Sequence, residues 1–89
     1  MARVTFSPEG FRSFAQLPTQ VRLQFNETFA ILERSGPDVN LIDSHPLSGA
    51  QDLWTLRIGQ YRGIYRWRID EARFIRFGHR AHVYLRLPK

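Results

Sequence analysis

The chain has 89 residues, no cysteine and a net charge of +5, so we expect one domain, spanning residues 1–89, without disulfides or zinc–thiolate sites. It has no apolar run of about 18 residues and no apolar leader, which predicts a cytoplasmic protein without a membrane partner. Residues 51–89 hold nine basic and three acidic residues, whereas residues 1–50 hold four and five. The basic half indicates a polyanion or an acidic protein as partner.

The first third of the chain predicts a strand followed by two helices. Residues 3–7 read as a short strand, and Ser7-Pro8 is typical of a helix start, with the helix ending near residue 16. Phe11 and Phe14 are expected on its buried side. A second helix is predicted from Pro18 to about residue 34, followed by a loop over residues 37–52. Its apolar residues recur at helical spacing and are Val21, Phe25, Phe29 and Leu32.

From Leu53 the apolar period changes to two, the period of a strand. Strands are predicted over residues 53–58, 61–69 and 73–77, and residues 81–87 are expected to form a short last strand. This order predicts an α+β fold in which the N-terminal strand and a helical hairpin pack on one face of a twisted antiparallel sheet. The other face is then free to carry charge. Three arginines have the parity of that face: Arg62, Arg66 and Arg68.

Four short motifs follow one another in the second half of the chain. They are Leu47-Ser48-Gly49, then LWTLRIGQYRGIY over residues 53–65, then Gly78-His79-Arg80 and Val83-Tyr84. In this order they resemble the RelE/ParE toxin superfamily, and the helical hairpin before them fits as well. The resemblance implies a RelE-like fold and a toxin of a type II toxin–antitoxin system. It also implies a cognate antitoxin as partner.

The resemblance also implies roles for single residues. Arg62 matches the sheet arginine that RelE-like enzymes use near the scissile phosphate, Arg80 matches their second catalytic arginine, and Tyr84 matches the C-terminal tyrosine that stacks on a base or assists proton transfer. Some RelE enzymes place lysines on the first strand of the meander, where this chain has Leu53 and Thr55. The group that moves the proton therefore has to be sought elsewhere.

RNA is cut without metal when its own 2′-OH attacks the adjacent phosphate. Arginine is a poor base, because its pKa exceeds about 12, whereas imidazoles titrate near neutrality. The base is therefore His82 or His79, a tyrosine or a group of the ribosome. The expected catalytic set is Arg62, Arg80, Tyr84 and His82, with no cofactor and no metal. The expected RNA-binding set is Arg57, Arg66, Arg68 and His79. For Arg57, an ion pair with Asp52 or Asp70 is an equal alternative.

Three functions remain open from the sequence. The first is an endoribonuclease, an mRNA interferase that cleaves mRNA on the ribosome and is neutralised by its antitoxin. The alternative is a ParE-like toxin that inhibits DNA gyrase and has no nuclease activity. The third is a decayed toxin that retains only antitoxin binding. The first is favoured by Tyr84 and the two C-terminal histidines, His79 and His82.

Overall fold

The computed structural model describes residues 2–47 and 52–87. Two residues of the first motif, Ser48 and Gly49, lie outside this part of the chain. The described elements follow the order β1 (Arg3–Phe6), α1 (Pro8–Ala15), α2 (Thr19–Ser35), β2 (Ser44–Pro46), β3 (Leu53–Ile58), β4 (Tyr61–Arg68) and β5 (Glu71–His79).

The strands form one sheet in the order β1-β5-β4-β3-β2. The predicted α+β fold is confirmed, and β2 to β5 pair antiparallel. The expectation of an entirely antiparallel sheet is wrong at one edge, where β1 pairs parallel to β5. Both helices and three strands separate β1 from β5, so no hairpin dictates the direction of this pairing. The predicted loop over residues 37–52 also contains a short edge strand, β2. A strand of three residues is too short for its apolar alternation to be recognised in the sequence.

Helix α1 begins as predicted, since the Ser7 hydroxyl accepts a hydrogen bond from the Gly10 N–H at 3.0 Å. The helix continues along the edge of β5 where β1 has ended. The Ser13 hydroxyl accepts the Phe77 N–H there, at 2.9 Å, which protects an otherwise open sheet edge. Helix α1 turns Gly10 towards β5, and the two elements are so close that a Cβ at this position would lie 2.2 Å from the Phe74 carbonyl oxygen. Phe11 was therefore predicted wrongly, and it is exposed.

The main core lies between the helices and one face of the sheet, which we call the helix face. It contains the predicted side chains of α2, with Phe25, Phe29 and Leu32 buried. They pack against the sheet residues Leu56, Tyr65, Ala72, Phe74 and Phe77. Trp54 and Trp67 are half-buried against this cluster. The opposite, distal face holds a smaller cluster of Leu53, Ile64 and Val83.

The predicted last strand is wrong. Residues 80–87, here called the C-terminal segment, form successive turns. The N–H groups of His82 and Val83 both donate to the His79 carbonyl oxygen, at 2.9 and 3.0 Å. These turns direct Val83 onto Leu53 and Ile64 of the distal face. Burial of Val83, which is 2% exposed, thus overrides the weak strand pattern of the segment.

Candidate functional site

The distal face carries two arginine pairs that lie directly across neighbouring strands. Arg57 of β3 is opposite Arg62 of β4, and Arg66 of β4 is opposite Arg73 of β5. Opposite side chains in an antiparallel ladder lie on the same face, about 5 Å apart at Cβ, and like charges there repel. The parity that the sequence predicted for Arg62 and Arg66 is thus observed, and Arg73 joins them unpredicted.

The two arginine pairs differ in their counter-ions. Asp52 binds both Arg66 and Arg68, with oxygen–nitrogen distances of 2.9 and 2.5 Å. The hydrogen bond from Arg68, and then the nearby charges, hold the pKa of the Asp52 carboxyl below its usual range against its desolvation. The chain itself therefore supplies an anion opposite this end of the arginine row. Any anionic ligand near Arg66 or Arg68 has to compete with Asp52.

The positive charges of Arg57 and Arg62 are neutralised less by nearby carboxylates than those of Arg66 and Arg68. The Nε of Arg57 lies 3.7 Å from Asp43, and both side chains are about half exposed. Such a pair contributes little, and Asp43 also binds His45 at 2.9 Å. The partner of Arg57 is thus Asp43 and neither Asp52 nor Asp70. Arg62 is held by carbonyl oxygens instead, since its Nη1 donates to Gly59 and Tyr61 at 2.9 Å each.

The turn between β3 and β4 also anchors Arg80. The Arg80 N–H donates to the Gln60 carbonyl oxygen at 2.8 Å, next to the Gly59 carbonyl that binds Arg62. Gly59 has φ of 57°, which glycine adopts without strain. The structure therefore brings Arg62 and the backbone of Arg80, which sequence spacing separates by 18 positions, to one tight turn.

Tyr84 is placed over the same end of the distal face. Its hydroxyl lies 3.1 Å from the Thr55 hydroxyl, and Tyr84 is 40% exposed. Thr55 precedes Arg57 by two residues on β3, so the two side chains share a face about 7 Å apart. Thr55 thus acts as a hydrogen-bonding partner of Tyr84. Arg57, Arg62, Arg80 and Tyr84 are gathered at one end of the sheet.

The two histidines lie at the rim beside these residues. The His79 ring meets the edge of Tyr61, with ring centres 5.7 Å apart, and lies 6.2 Å from the His82 ring. The Nδ1 of His79 is 3.1 Å from the Ala81 N–H. Because a backbone N–H only donates, Nδ1 is the acceptor and a neutral His79 carries its proton on Nε2. Its register opposite Tyr61 places His79 towards the helix face.

The structure thus divides the eight predicted site residues. Arg62 and the backbone of Arg80 contact the Gly59–Gln60 turn, with Arg57 opposite Arg62 and Tyr84 at Thr55 on the same face. The two histidines lie at the rim, and Arg66 and Arg68 lie at the far end of β4 with Asp52. Sequence reasoning missed Arg73 and Arg76. The irregular alternation of residues 73–77 was the available signal, because it marks a β-bulge between β4 and β5.

The described residues include no helix that is long and apolar enough to cross a membrane. Within residues 2–47 and 52–87, no three His, Asp or Glu side chains are grouped as metal ligands would be.

Neither a family model nor a curated protein matches this chain, but solved structures do. A chain of the RelB-RelE antitoxin–toxin complex from Methanococcus jannaschii is 19% identical with a TM-score of 0.79, over 94% of this chain and 99% of that one. A chain of the archaeal RelE-RelB complex from Pyrococcus horikoshii OT3 is 26% identical with a TM-score of 0.73, over 92% and 98%. The isolated E. coli RelE toxin is 19% identical with a TM-score of 0.73, over 89% and 84%. The chain therefore has a RelE-like toxin fold.

Proposed function

We propose that the protein is the toxin of a type II toxin–antitoxin pair and acts in the cytoplasm as a ribosome-dependent mRNA endonuclease. The observation that carries the proposal is that Arg62 and the backbone of Arg80 meet at one turn, while Tyr84 is held at Thr55 on the same basic face of a RelE-like sheet. The fold is shared with chains from RelB-RelE complexes, which supports a cognate antitoxin as partner.

The proposed reaction needs no metal and no cofactor. The 2′-OH of the RNA attacks the adjacent phosphorus, its proton is removed, and the leaving 5′-oxygen is protonated. The products are a 2′,3′-cyclic phosphate and a 5′-hydroxyl. Arg62 and Arg80 stabilise the extra negative charge of the pentavalent phosphorane, which is commonly the largest catalytic contribution. Arg57, opposite Arg62, adds to the positive field that holds the RNA backbone.

The histidine contacts distinguish two roles. The Nδ1 of His79 is occupied by the Ala81 N–H, so a neutral His79 offers a donor at Nε2. Because its register turns it towards the helix face, we assign His79 to binding the RNA at the rim of the site. His82 is exposed and is proposed as the general base, because a neutral imidazole nitrogen can accept the proton of the 2′-OH. Tyr84, held at Thr55, presents a half-exposed ring on which a base can stack.

Induction of the protein in growing cells, with 5′ ends mapped across transcripts, tests the nuclease proposal. We expect new 5′ ends within translated regions, and their loss when translation initiation is blocked. Arg62→Ala and Arg80→Ala should each reduce cleavage by about 10²-fold or more, as the removal of one charge-stabilising donor typically does. Arg34→Ala is the matched control, because it removes an exposed arginine of α2 far from the Gly59–Gln60 turn.

Two outcomes would contradict the proposal. Growth arrest with intact mRNA, together with dose-dependent inhibition of supercoiling by purified DNA gyrase, would indicate a ParE-like toxin. Normal growth despite abundant folded protein would indicate a chain that retains only antitoxin binding.

The antitoxin interface is tested by salt. An acidic, partly disordered antitoxin that covers Arg62, Arg66 and Arg68 should lose affinity steeply as ionic strength rises. Titration calorimetry of the toxin with its antitoxin at low and high salt measures this. An affinity that does not change with salt would place the contact on apolar surface instead.

A further inference from the structure

A β-bulge in β5 turns one arginine towards the C-terminal segment. In the β4–β5 ladder the register shifts at Ile64, which lies opposite Arg76. Because of this shift, Phe74 and Phe77 both lie on the helix face, although three positions separate them, and Ile75 packs on the distal cluster. Arg76 shares the distal face with Ile64, and Ile64 packs against Val83. The bulge thus brings the Arg76 guanidinium beside the backbone of the C-terminal segment.

Arg76 binds the backbone on both sides of Tyr84. Its Nη1 donates to the Val83 carbonyl oxygen at 3.1 Å and also to the Leu85 carbonyl oxygen. These are the carbonyls of the residues on either side of Tyr84, so one guanidinium nitrogen fixes the chain before and after the tyrosine. The side chain of Arg76 is only 19% exposed, which restricts it to this geometry.

Glu9 orients the guanidinium from the other side. The Arg76 Nε donates to the Glu9 carboxylate at 2.9 Å, and Glu9 belongs to the first turn of α1. Helix α1 is itself bound to the edge of β5 through Ser13. Arg76 therefore joins three parts of the fold, which are α1, β5 and the C-terminal segment.

Tyr84 has few other anchors. Tyr84 is 40% exposed, and its hydroxyl lies 3.1 Å from the Thr55 hydroxyl in an exposed contact. The neighbouring Val83 is held by burial and by its N–H bond to the His79 carbonyl oxygen, and the Leu85 N–H donates to the His82 carbonyl oxygen at 3.1 Å. These contacts do not bind the carbonyl groups of Val83 and Leu85 on either side of Tyr84. Arg76 binds both of these carbonyl groups.

We propose that Arg76 is a positioning residue that holds Tyr84 over the arginine site, with Glu9 as its orienting counter-ion. The inference rests on the proposed function for the role of Tyr84 in cleavage, although the contacts themselves do not depend on it. Arg76 acts through Tyr84 and does not touch RNA.

A double-mutant cycle in ribosome-dependent cleavage separates positioning from a merely structural role. We expect Arg76→Ala to lower the cleavage rate at saturating ribosomes about tenfold or more in the otherwise wild-type chain. In the Tyr84→Ala background the same change should lower it less than twofold, because there is no tyrosine left to position. Arg34→Ala, which removes the same charge from α2, should have no effect. Equal losses in both backgrounds would overturn the proposal.

Hydrogen exchange gives a reading that does not require activity. Arg76→Ala should speed exchange of the Val83 and Leu85 amides about tenfold or more, while the amides of β4 stay as protected as in the wild type. Should Arg76→Ala fail to fold, Glu9→Gln keeps the carbonyl contacts but removes the counter-ion, and a smaller increase at the same amides is expected. Unchanged exchange in the folded variants would overturn the positioning role alone. If the wild-type chain cleaves no mRNA, yet Arg76→Ala speeds the exchange as predicted, the proposed function and the role of Arg76 in cleavage would be overturned. The positioning of Tyr84 by Arg76 would then still stand.

Discussion

The hydroxyl of Tyr65 lies inside the main core, and its ionisation should lower the stability of the fold at alkaline pH. Tyr65 is 0% exposed, and its hydroxyl lies 2.6 Å from the Ser44 hydroxyl. Ser44 donates its single proton to the Thr55 carbonyl oxygen at 3.0 Å, so Tyr65 has to be the donor in its bond with Ser44. Burial raises the pKa of Tyr65 from 10.0 to about 12.

The sign follows from proton binding in the two states. The pKa of Tyr65 is higher in the folded chain, so its contribution is fully present below pH 10 and is lost as the pH rises towards 12. With an unfolded tyrosine pKa near 10, the free energy of unfolding should fall by about 1.4 kcal/mol at pH 11 and by about 2 kcal/mol at pH 12. That is a large share of the total for a domain of about this size.

Tyr65→Phe isolates this contribution. The variant loses one buried hydrogen bond, which costs about 1 kcal/mol at pH 8, but it has no phenol to ionise at position 65. The wild type should therefore be more stable by about 1 kcal/mol at pH 8 and less stable by about 1 kcal/mol at pH 12, with the two curves crossing near pH 11. Urea unfolding followed by the fluorescence of Trp54 and Trp67 measures both curves. Tyr61 and Tyr84 are present in both proteins and do not contribute to the difference; parallel curves would exclude a raised pKa at Tyr65.

Three further changes test other parts of the structure. Gly10→Ala should lower the free energy of unfolding in urea by about 1–3 kcal/mol although alanine favours helices, because its Cβ would lie 2.2 Å from the Phe74 carbonyl oxygen; a more stable variant would contradict this packing of α1 on β5. Ile69→Asn should raise it by about 1 kcal/mol, because Ile69 is 96% exposed and has φ of 35°, where a β-branched side chain is strained and asparagine is not; a lower melting temperature would count against that turn. Asp52→Asn should tighten the binding of a single-stranded RNA oligomer and steepen its logarithmic salt dependence by about 0.7, because it frees about one positive charge at Arg66 and Arg68; fluorescence anisotropy with an unchanged slope would place the RNA elsewhere.

The sheet could be predicted from the sequence as far as its alternation is regular. Strands β3 and β4 alternate strictly, so their bounds and faces were predicted closely, including the shared face of Arg62 and Arg66. Strand β5 contains a bulge, which breaks the alternation and hides that the strand extends from Glu71 to His79. The C-terminal segment has a strand-like pattern, but its structure is decided by Val83, whose partners Leu53 and Ile64 are far away in sequence.

The candidate site could be predicted in its residues but not in their partners. Strand parity and the motifs pointed to Arg62 and Arg80, because each feature lies within a few residues. The pairing of Asp52 with Arg66 and Arg68, and of Arg76 with Glu9, depends on how loops and α1 pack against the sheet. The sequence carries no local signal for such contacts, so the basic half looked uniformly available for an anion.

The partners divide the arginines by the kind of group that binds them. At the far end of β4 a carboxylate binds Arg66 and Arg68, which orients them and also neutralises part of their charge. At the Gly59–Gln60 turn, neutral carbonyl oxygens bind the Nη1 of Arg62, which orients the guanidinium but leaves its full charge. The described contacts leave the Nε and Nη2 donors of Arg62 for a ligand, and this edge of the fork matches two oxygens of one phosphate. A phosphate should therefore bind first at the turn, where the charge is oriented in advance and is not cancelled.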